Sequence, residues 1–323
     1  MPPPTGSAPA DAPAPPRGGD TPGFAVRLSP PDLSPWLGGE VRGVMTRDSG
    51  VSGPHAAVVA LMHGNEIAGA VVLDTLLREG LAPRRGRLSF VFANLDAFAR
   101  FDPSDPTASR FIEEDMNRLW AEETLAGPPR SLELRRAQAL LPVLRGVDVL
   151  LDLHSMLLQP VPILLAGRNE AAFGLALKVG VPPLIVADHG HPTGLRLLDH
   201  AQFAGGRSRA LLLEAGLHWE PETVAVMREG TLRFLAAADV LPAMPAPAAP
   251  PRVARVTDTI VPASHRFAFV QRFRGGEVIP AEGTLLATDG EREIRTPYPD
   301  CLLVMPALRP VRGHTAVRLA RLG

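Results

Sequence analysis

Three mostly apolar runs in this sequence each end in residues that can ionise or bind a metal ion. The runs cover residues 57–62, 147–153 and 209–213, and they end in His63 with Glu66, in His154 and in Glu214. A nearly continuous apolar run of this length is typical of a strand that is buried on both faces of a parallel sheet. In open α/β sheets the functional residues lie just beyond the carboxyl ends of such strands. The sequence therefore predicts an α/β fold in which these side chains meet at one edge of the sheet.

His63 and Glu66 are three residues apart, so one helical turn would place both side chains on the same face. A polar helix N-terminus is the alternative interpretation of this short spacing. His154 favours a metal site, because two histidines and one glutamate are a common ligand set of catalytic zinc. Asp152 precedes His154 by two residues on a predicted strand, so it either orients this ligand or accepts a local hydrogen bond. We predict one zinc ion per chain, bound by His63, Glu66 and His154.

Strand-like and helix-like segments alternate between the first apolar run and residue 237, which is typical of a mixed sheet with helices on both faces. A proline-rich stretch follows, and short strand-like pieces separated by glycines then indicate a small all-β region, barrel-like in outline. We expect a Pro/Ala-rich disordered tail at 1–22, a catalytic domain at 23–240, a linker at 241–252 and a small β domain at 253–323.

Charge and cysteine content exclude several classes of function. The net charge is −1, so no strong field attracts nucleic acid or an anionic membrane. The only cysteine, Cys301, excludes an intramolecular disulfide and a cysteine-based zinc site. We find no apolar segment of membrane-helix length and no secretory signal. We therefore expect a cytoplasmic protein that binds neither nucleic acid nor membranes, and the sequence leaves its oligomeric state open.

The loop between the first two apolar runs carries arginines around an acidic stretch. It covers residues 109–118 and contains Arg110, Asn117 and Arg118. Because the rigid fork of arginine binds carboxylates through two hydrogen bonds, this loop favours a small-molecule substrate with a carboxylate. A solvated loop with local ion pairs is the alternative. The loop at 188–191 contains two histidines in a weak metal-like spacing, and we interpret it as substrate-facing or merely exposed.

Together these motifs resemble the succinylglutamate desuccinylase/aspartoacylase family, which belongs to the zinc carboxypeptidase superfamily. The motifs that carry the resemblance are, in order, His63-Gly64-Asn65-Glu66 followed by Gly69, Asp115-Met116-Asn117-Arg118, Asp152-Leu153-His154-Ser155 and Glu214. The resemblance implies a carboxypeptidase-like catalytic domain that binds zinc and a C-terminal β domain that caps its cleft. The resemblance implies that His63, Glu66 and His154 bind zinc and that Asn117 and Arg118 bind the α-carboxylate of the substrate. It also implies that Arg110 polarises the scissile carbonyl and that Glu214 is the general base.

The sequence departs from the aspartoacylases shortly before the catalytic glutamate. Those proteins place a tyrosine and an arginine there, which grip the side-chain carboxylate of the substrate. Here Arg207 is the candidate for the arginine's role, but its spacing to Glu214 is shorter and no tyrosine accompanies it. Tyr298, the only tyrosine, is interpreted as structural, with a second polar contact to substrate as the alternative. We therefore do not extend the aspartoacylases' specificity for an aspartate-like substrate to this chain.

Three hypotheses for the function follow from the sequence. The first is a zinc-dependent deacylase that cleaves the amide bond of a small N-acyl amino acid or a related amide, with a metal-activated water and Glu214 as general base. The second is a carboxypeptidase or an esterase on the same fold. The third is an inactive zinc-binding or ligand-sensing module. The presence of both Glu214 and Arg110 beside a complete ligand set favours an active enzyme.

Overall fold

The computed structural model describes residues 24–158, 161–188, 190 and 194–323. The tail predicted at 1–22 and the two histidines of the loop at 188–191 lie outside the described residues, so the predictions about them stay predictions. The described residues form the mixed α/β structure that the sequence predicted. Within them, no helix combines the length and the apolar composition that crossing a membrane requires.

Fourteen strands and seven α-helices make up the described fold. The strands are β1 (Val44–Asp48), β2 (His55–Ala60), β3 (Arg87–Phe92), β4 (Val149–Met156), β5 (Ile163–Ala166), β6 (Leu184–Ala187), β7 (Arg209–Leu217), β8 (Arg252–Ile260), β9 (Phe267–Phe269), β10 (Val278–Ile279), β11 (Leu285–Asp289), β12 (Arg292–Arg295), β13 (Cys301–Val304) and β14 (Val317–Leu322). The helices are α1 (Ile67–Arg78), α2 (Leu95–Phe98), α3 (Glu122–Leu125), α4 (Leu132–Arg145), α5 (Glu170–Val179), α6 (Ala201–Ala204) and α7 (Pro221–Ala237).

Eleven of the described strands form one mixed sheet, in the order β1-β3-β2-β4-β7-β5-β6-β8-β14-β13-β10. Strands β3, β2, β4 and β7 run parallel to one another, whereas β1 and β5 are antiparallel to their neighbours β3 and β7. The carboxyl ends of β2, β4 and β7 therefore lie at the same edge of the sheet. The register pairs Val59 with Asp152, and His154 with Glu214. The strand ends that carry the three sequence motifs are thus spatial neighbours.

Different helices cover the two faces of the central sheet. Val58 belongs to a core cluster that includes residues of α1 and α7, whereas Val59 belongs to a second cluster that includes residues of α4. Every residue of β2 is buried, which explains why its sequence from Ala56 onwards is apolar and does not alternate. At Gly69 in α1, an added Cβ would lie 3.0 Å from Cβ of Ala60 and 3.3 Å from Cβ of Leu153. Glycine therefore allows α1 to pack closely against β2 and β4, the two strands that end near the candidate metal ligands.

The C-terminal region is all-β, as the sequence predicted. Strand β8 pairs with β6 in parallel, and β14, β13 and β10 continue the same sheet. Strands β12, β11 and β9 form a separate three-stranded antiparallel sheet. A third hydrophobic cluster, which includes Leu286, Tyr298 and Leu303, lies in this region. Backbone pairing thus continues from the central strands into the C-terminal region, and the domain boundaries at 240 and 253 stay a prediction.

Candidate metal centre and active-site cavity

The chain turns sharply between the end of β2 and the start of α1. Leu61 has a φ of +60°, in the left-handed region that residues other than glycine rarely adopt. At Gly64, an added Cβ would lie 2.4 Å from the carbonyl carbon of Ala97. The amide of Gly64 donates to the carbonyl of Arg110 at 3.0 Å. A side chain at position 64 would therefore clash with α2 and, at 2.6 Å from the carbonyl oxygen of Ser109, with the loop that carries Arg110.

His63, Glu66 and His154 meet at the carboxyl ends of β2 and β4. One ligand atom from each lies within 4.8 Å of the other two. Nδ1 of His63 is 2.7 Å from Oε1 of Glu66, and Nδ1 of His154 is 3.1 Å from Oε2 of the same carboxylate. The three side chains are only 2–3% exposed. Since two imidazoles and one carboxylate form the donor set of catalytic zinc sites, this cluster fits a zinc ion.

The outer ring nitrogen, Nε2, of both His63 and His154 lies beside a carboxylate. Nε2 of His63 is 3.1 Å from Oδ1 of Asp115, and Nε2 of His154 is 2.9 Å from Oδ2 of Asp152. Burial raises the pKa of Asp115, but the attraction of His63 and of two nearby arginines outweighs burial and holds this pKa below its usual value. Carboxylates placed in this way fix the ring orientation of metal-binding histidines. The arrangement is a second feature that fits a metal ion between the two Nδ1 atoms.

Asp152→Asn is expected to weaken zinc binding by about 10–100-fold, because partners behind metal ligands typically contribute this much to affinity. The amide keeps the shape of the side chain but removes the negative charge beside Nε2 of His154. Competition with a coloured zinc chelator measures the affinity. The matched control is Asp148→Asn, because Asp148 lies just before the opposite end of β4 and accepts a hydrogen bond from the amide of His55. Equal zinc affinity in both variants would contradict the role of Asp152.

Glu214 lies beside the ligand cluster, where the register of β4 and β7 pairs it with His154. The residue is 7% exposed, and among the described residues Oε2 has no hydrogen-bond partner. Burial raises the pKa of the Glu214 carboxyl to about 8, against the attraction of His154 and with a further contribution from Glu66. A buried carboxyl with an unused oxygen next to a metal site is well placed to accept and return a proton.

The metal-free protein is expected to lose stability, relative to Glu214→Gln, as the pH rises from about 5 to 8. The folded-state pKa of Glu214 is about 8, whereas an unfolded glutamate titrates near ~4.3. Between these values the folded protein keeps a proton that the unfolded chain has released, so the stability falls with rising pH. Thermal unfolding in EDTA across this pH range measures the effect, with Glu123→Gln, at an exposed position, as control. A pH-independent difference in Tm between wild type and Glu214→Gln would contradict the raised pKa.

Arg110 reaches the ligand cluster from the loop at 109–118. Nη2 is 2.9 Å from Nε2 of His63 and 3.4 Å from Oδ2 of Asp115, and Nη1 is 3.2 Å from Oε1 of Glu66. The side chain is 38% exposed and lines the cavity above the cluster. Because guanidinium offers five N–H donors, it can keep these contacts while it donates to an oxygen of a bound ligand.

Asn117 and Arg118 lie in the turn Met116–Arg118 and line the same cavity. Oδ1 of Asn117 accepts a hydrogen bond from the amide of Leu197 at 3.0 Å, so the opposite end of the amide group is the donor. Nη1 of Arg118 donates to the carbonyl of Asn117 at 2.6 Å. Burial lowers the pKa of Arg118, and the charge of Asp115 opposes this. A cation and an amide donor thus lie side by side on the cavity wall.

Arg207 and Tyr298 do not line the cavity with the other predicted site residues. Arg207 is exposed and precedes β7, seven residues before Glu214; at ~3.3 Å per residue, the strand separates them by roughly 20 Å. The structure therefore does not support substrate binding by Arg207. Tyr298 is 5% exposed, and the guanidinium of Arg321 lies 3.8 Å from its ring centroid. These contacts agree with the structural interpretation of Tyr298.

The cavity also contains a serine–histidine pair that the sequence patterns did not single out. Oγ of Ser155 is 2.7 Å from Nδ1 of His218, and both residues are buried. Burial lowers the pKa of His218 to about 4, so its imidazole is neutral at pH 7. The amide of Ser155 donates to Oε2 of Glu66 at 3.0 Å. Ser155 follows His154 directly, but nothing in the sequence connected His218 with the site.

These groups open onto a cavity of about 860 Å³, which is large enough for a small amide substrate. Its wall combines the metal-site residues with residues 305–309 and others from the C-terminal region. The C-terminal region, mainly its loop between β13 and β14, therefore contributes directly to the space in front of the ligand cluster.

Solved structures share this fold at low sequence identity. A succinylglutamate desuccinylase from Vibrio parahaemolyticus is 17% identical with a TM-score of 0.66, and the match covers 87% of this chain and 86% of that chain. A succinylglutamate desuccinylase from Vibrio cholerae is 17% identical with a TM-score of 0.67, covering 87% and 85%. The ectoine utilization protein EutE (DoeB) from Ruegeria pomeroyi, in a product-bound structure, is 18% identical with a TM-score of 0.61, covering 86% and 88%. At these identities the likeness is one of fold.

The sequence itself matches a family of known proteins. Curated proteins provide no significant match to the chain. The model of the succinylglutamate desuccinylase/aspartoacylase catalytic domain matches residues 52–238, which is more than half of the chain. This range contains His63, Glu66, His154 and Glu214. The chain therefore belongs to the succinylglutamate desuccinylase/aspartoacylase family of deacylase-type hydrolases.

Proposed function

We propose that this chain is a zinc-dependent deacylase that cleaves the amide bond of a small N-acyl amino acid or a related amide. The observation that carries the proposal is the position of Glu214, whose buried carboxyl lies beside a two-histidine, one-glutamate cluster and faces the cavity. A ligand set alone would serve a binding module equally well. A carboxyl group without a hydrogen-bond partner on Oε2, among the described residues, is what hydrolysis requires in addition.

His63, Glu66 and His154 would hold the zinc ion, which when bound supplies Lewis acidity that activates water and polarises a carbonyl group. Asp115 and Asp152 keep the two imidazoles oriented for this purpose. Glu214 lies close enough to this cluster that a bound cation would favour its carboxylate form over the protonated form that burial favours.

Glu214 takes a proton from the attacking water and passes it to the leaving nitrogen, which yields a carboxylic acid and an amine. The guanidinium of Arg110, beside Glu66 and His63, donates to the oxygen that becomes negative during the attack. Asn117 and Arg118 hold the carboxylate of the substrate on the adjacent wall. The residues to which we assign metal binding, proton transfer, carbonyl polarisation and carboxylate binding all line the same cavity.

Zinc analysis and an activity screen test this proposal. The purified protein is expected to contain about one zinc ion per chain and to release free amine from at least one member of a panel of N-acyl amino acids. Removal of the metal with a chelator should abolish the release, and added zinc should restore it. Amine release at an undiminished rate after zinc removal would overturn the zinc dependence, and esters or peptides as the preferred substrates would overturn the deacylase assignment. Location in the cytoplasm stays a prediction from the sequence.

Arg118→Ala is expected to lower kcat/KM by about 10–100-fold, the usual loss for one hydrogen bond to a charged group. The loss should fall mainly on KM, because the carboxylate is held in both the ground state and the transition state. Arg207→Ala is the matched control, since Arg207 is exposed and lies outside the cavity. Steady-state kinetics with the best substrate of the panel measures kcat and KM for both variants. A larger loss for Arg207→Ala than for Arg118→Ala would restore the role that the sequence suggested for Arg207.

A further inference from the structure

The floor of the cavity next to Glu214 is apolar. In the register of β7 and β5, Leu212 pairs with Leu165, and both line the cavity. Residues two apart on a strand point to the same side, so Leu212 lies on the same face as Glu214. Two leucines on adjacent strands therefore lie on the same side of the sheet as Glu214.

The walls continue this apolar surface. The half-buried or exposed apolar residues that line them are Phe24, Phe111, Leu157, Leu158, Met305, Leu308 and Val311. They come from the segment before β1, the loop at 109–118, the segment after β4 and the loop between β13 and β14. Large apolar side chains that remain partly exposed around one concave site mark a place where an apolar group of a ligand is buried.

Two buried arginines that line the cavity, Arg196 and Arg318, are matched by protein carboxylates. Arg196 donates to Oδ2 of Asp199 through Nε at 2.7 Å, to Oδ1 through Nη2 at 3.1 Å, and to Oδ2 of Asp188 through Nη1 at 2.6 Å. Nε of Arg318, on β14, is 3.2 Å from the same oxygen of Asp188. Two arginines and two aspartates thus form a group without net charge, in which the fork of Arg196 is directed at protein carboxylates and Arg318 lies against Asp188.

A second carboxylate on the substrate would meet little compensation in this environment. Burying an unpaired carboxylate against leucine side chains is costly. Arg309 and His314 also line the cavity, but both are exposed at its rim. Ion pairs at exposed positions contribute little because water screens them. The charge distribution therefore discriminates against dicarboxylate substrates.

We infer that this site takes amides with one carboxylate and one apolar group, an aliphatic or aromatic chain on either the acyl or the amino-acid side. The carboxylate is held at Asn117 and Arg118, and the apolar group lies against Leu212, Leu165 and the wall around Leu308. The inference rests on the proposed function, because it assigns the substrate class of the same site.

Matched substrate pairs test the inference. N-acetyl-L-leucine is compared with N-acetyl-L-aspartate, which varies the amino-acid side, and N-hexanoylglycine with N-succinylglycine, which varies the acyl side. We expect kcat/KM to favour the apolar member by at least about tenfold in one pair, since even one methylene in an apolar pocket gives ~10–200-fold. The pair that shows the preference identifies the side that carries the apolar group. A preference for the dicarboxylate in either pair, or no preference in both pairs, overturns the inference.

Product binding separates this inference from the proposed function. The increase in Tm of the zinc-loaded protein is measured with leucine and hexanoate, and compared with aspartate and succinate. If no amide is hydrolysed but the apolar acids still stabilise the protein more, the deacylase proposal fails and the apolar site stands. If the dicarboxylates stabilise it equally or more, the apolar site is wrong whatever the enzyme hydrolyses.

The variant Leu308→Arg tests directly whether the cavity wall around Leu308 determines the preference for an apolar substrate group. Leu308 lies in the loop between β13 and β14, outside the catalytic and metal-binding residues, and is half-buried. A cation there is expected to shift the kcat/KM ratio at least about tenfold towards the dicarboxylate member of the responsive pair. Leu177→Arg makes the same change at a 44% exposed leucine of α5, outside the cavity, and should leave the ratio unchanged. An unchanged ratio in folded Leu308→Arg would contradict the proposed wall.

Discussion

The double variant His63→Ala/His154→Ala is expected to bind no zinc and to show no hydrolysis. It removes both nitrogen ligands, and the one remaining carboxylate cannot hold zinc at a site of this kind. Zinc content by mass spectrometry and steady-state rates measure the two effects. His265→Ala, at an exposed histidine away from the cavity, is the control and should keep both metal and activity.

The double variant also leaves the buried carboxylate of Asp152 without the hydrogen bond from Nε2 of His154, and an uncompensated buried charge is destabilising. Asp115, in contrast, is half-buried and keeps the amide of Asn117 and the guanidinium of Arg110. A lower Tm is therefore expected, and circular dichroism establishes whether the fold is kept. Full zinc occupancy in a folded double variant would overturn the metal centre, because no other group of three such ligands lies within reach in the described residues.

The sequence predicted the metal cluster because, in a parallel sheet, the direction of the strands determines where the residues at their carboxyl ends lie. When β2, β4 and β7 are all parallel, residues at their carboxyl ends share one edge of the sheet whatever the order of the strands. The apolar runs located the strand ends, and His63, His154 and Glu214 were the polar residues that followed or ended them. The fold class and the family were confirmed for the same reason, since both depend on these strand-end motifs.

The sequence patterns did not predict hydrogen-bond partners that come from distant parts of the chain. Asp115 lies 52 residues from His63 in sequence, and no periodicity joins a loop residue to a strand end. Asp152 was within reach of prediction because it shares a strand with His154. The pairing of Ser155 with His218 depends on the path of the chain after β7, which the apolar run of β7 does not determine.

Arg207 shows how a spacing argument fails without the strand register. In sequence it stands close to Glu214, as a substrate-binding arginine would. The intervening residues are extended in β7, and an extended strand carries Arg207 to the opposite edge of the sheet from Glu214. Arg196 is farther from Glu214 in sequence yet lines the cavity, because the chain between them forms α6 and returns along β7.

The extension of the sheet into the C-terminal region was also not predicted. Strand β8 pairs with β6 through residues that are nearly seventy positions apart, such as Leu184 with Arg252. Strand pairing over such separations depends on the packing of intervening helices and not on the sequence of either strand. The consequence for the site is direct, because this pairing brings Arg318 of β14 to Asp188.

Glu214→Gln is expected to keep its zinc while kcat falls by about 10²–10⁴-fold, as for the loss of a positioned acid–base group. Glutamine keeps the shape of the side chain but cannot accept a proton at neutral pH. Glu214 is not among the three residues whose ligand atoms converge, so its replacement leaves the proposed metal ligands intact. Substrate binding should survive, because Asn117 and Arg118, the proposed carboxylate-binding residues, are unchanged.

The variant Glu66→Gln distinguishes the proposed role of Glu66 from that of Glu214. The oxygens of Glu66 lie 2.7 and 3.1 Å from the Nδ1 atoms of His63 and His154, so this change removes the anionic ligand and should weaken zinc binding. Zinc content and steady-state rates are measured for both variants under the same conditions. If Glu214→Gln lost its zinc while Glu66→Gln kept it, the two glutamates would have exchanged roles. If neither change slowed a zinc-dependent reaction, proton transfer by a carboxylate would not be part of the chemistry, and the chain would not be a hydrolase of this type.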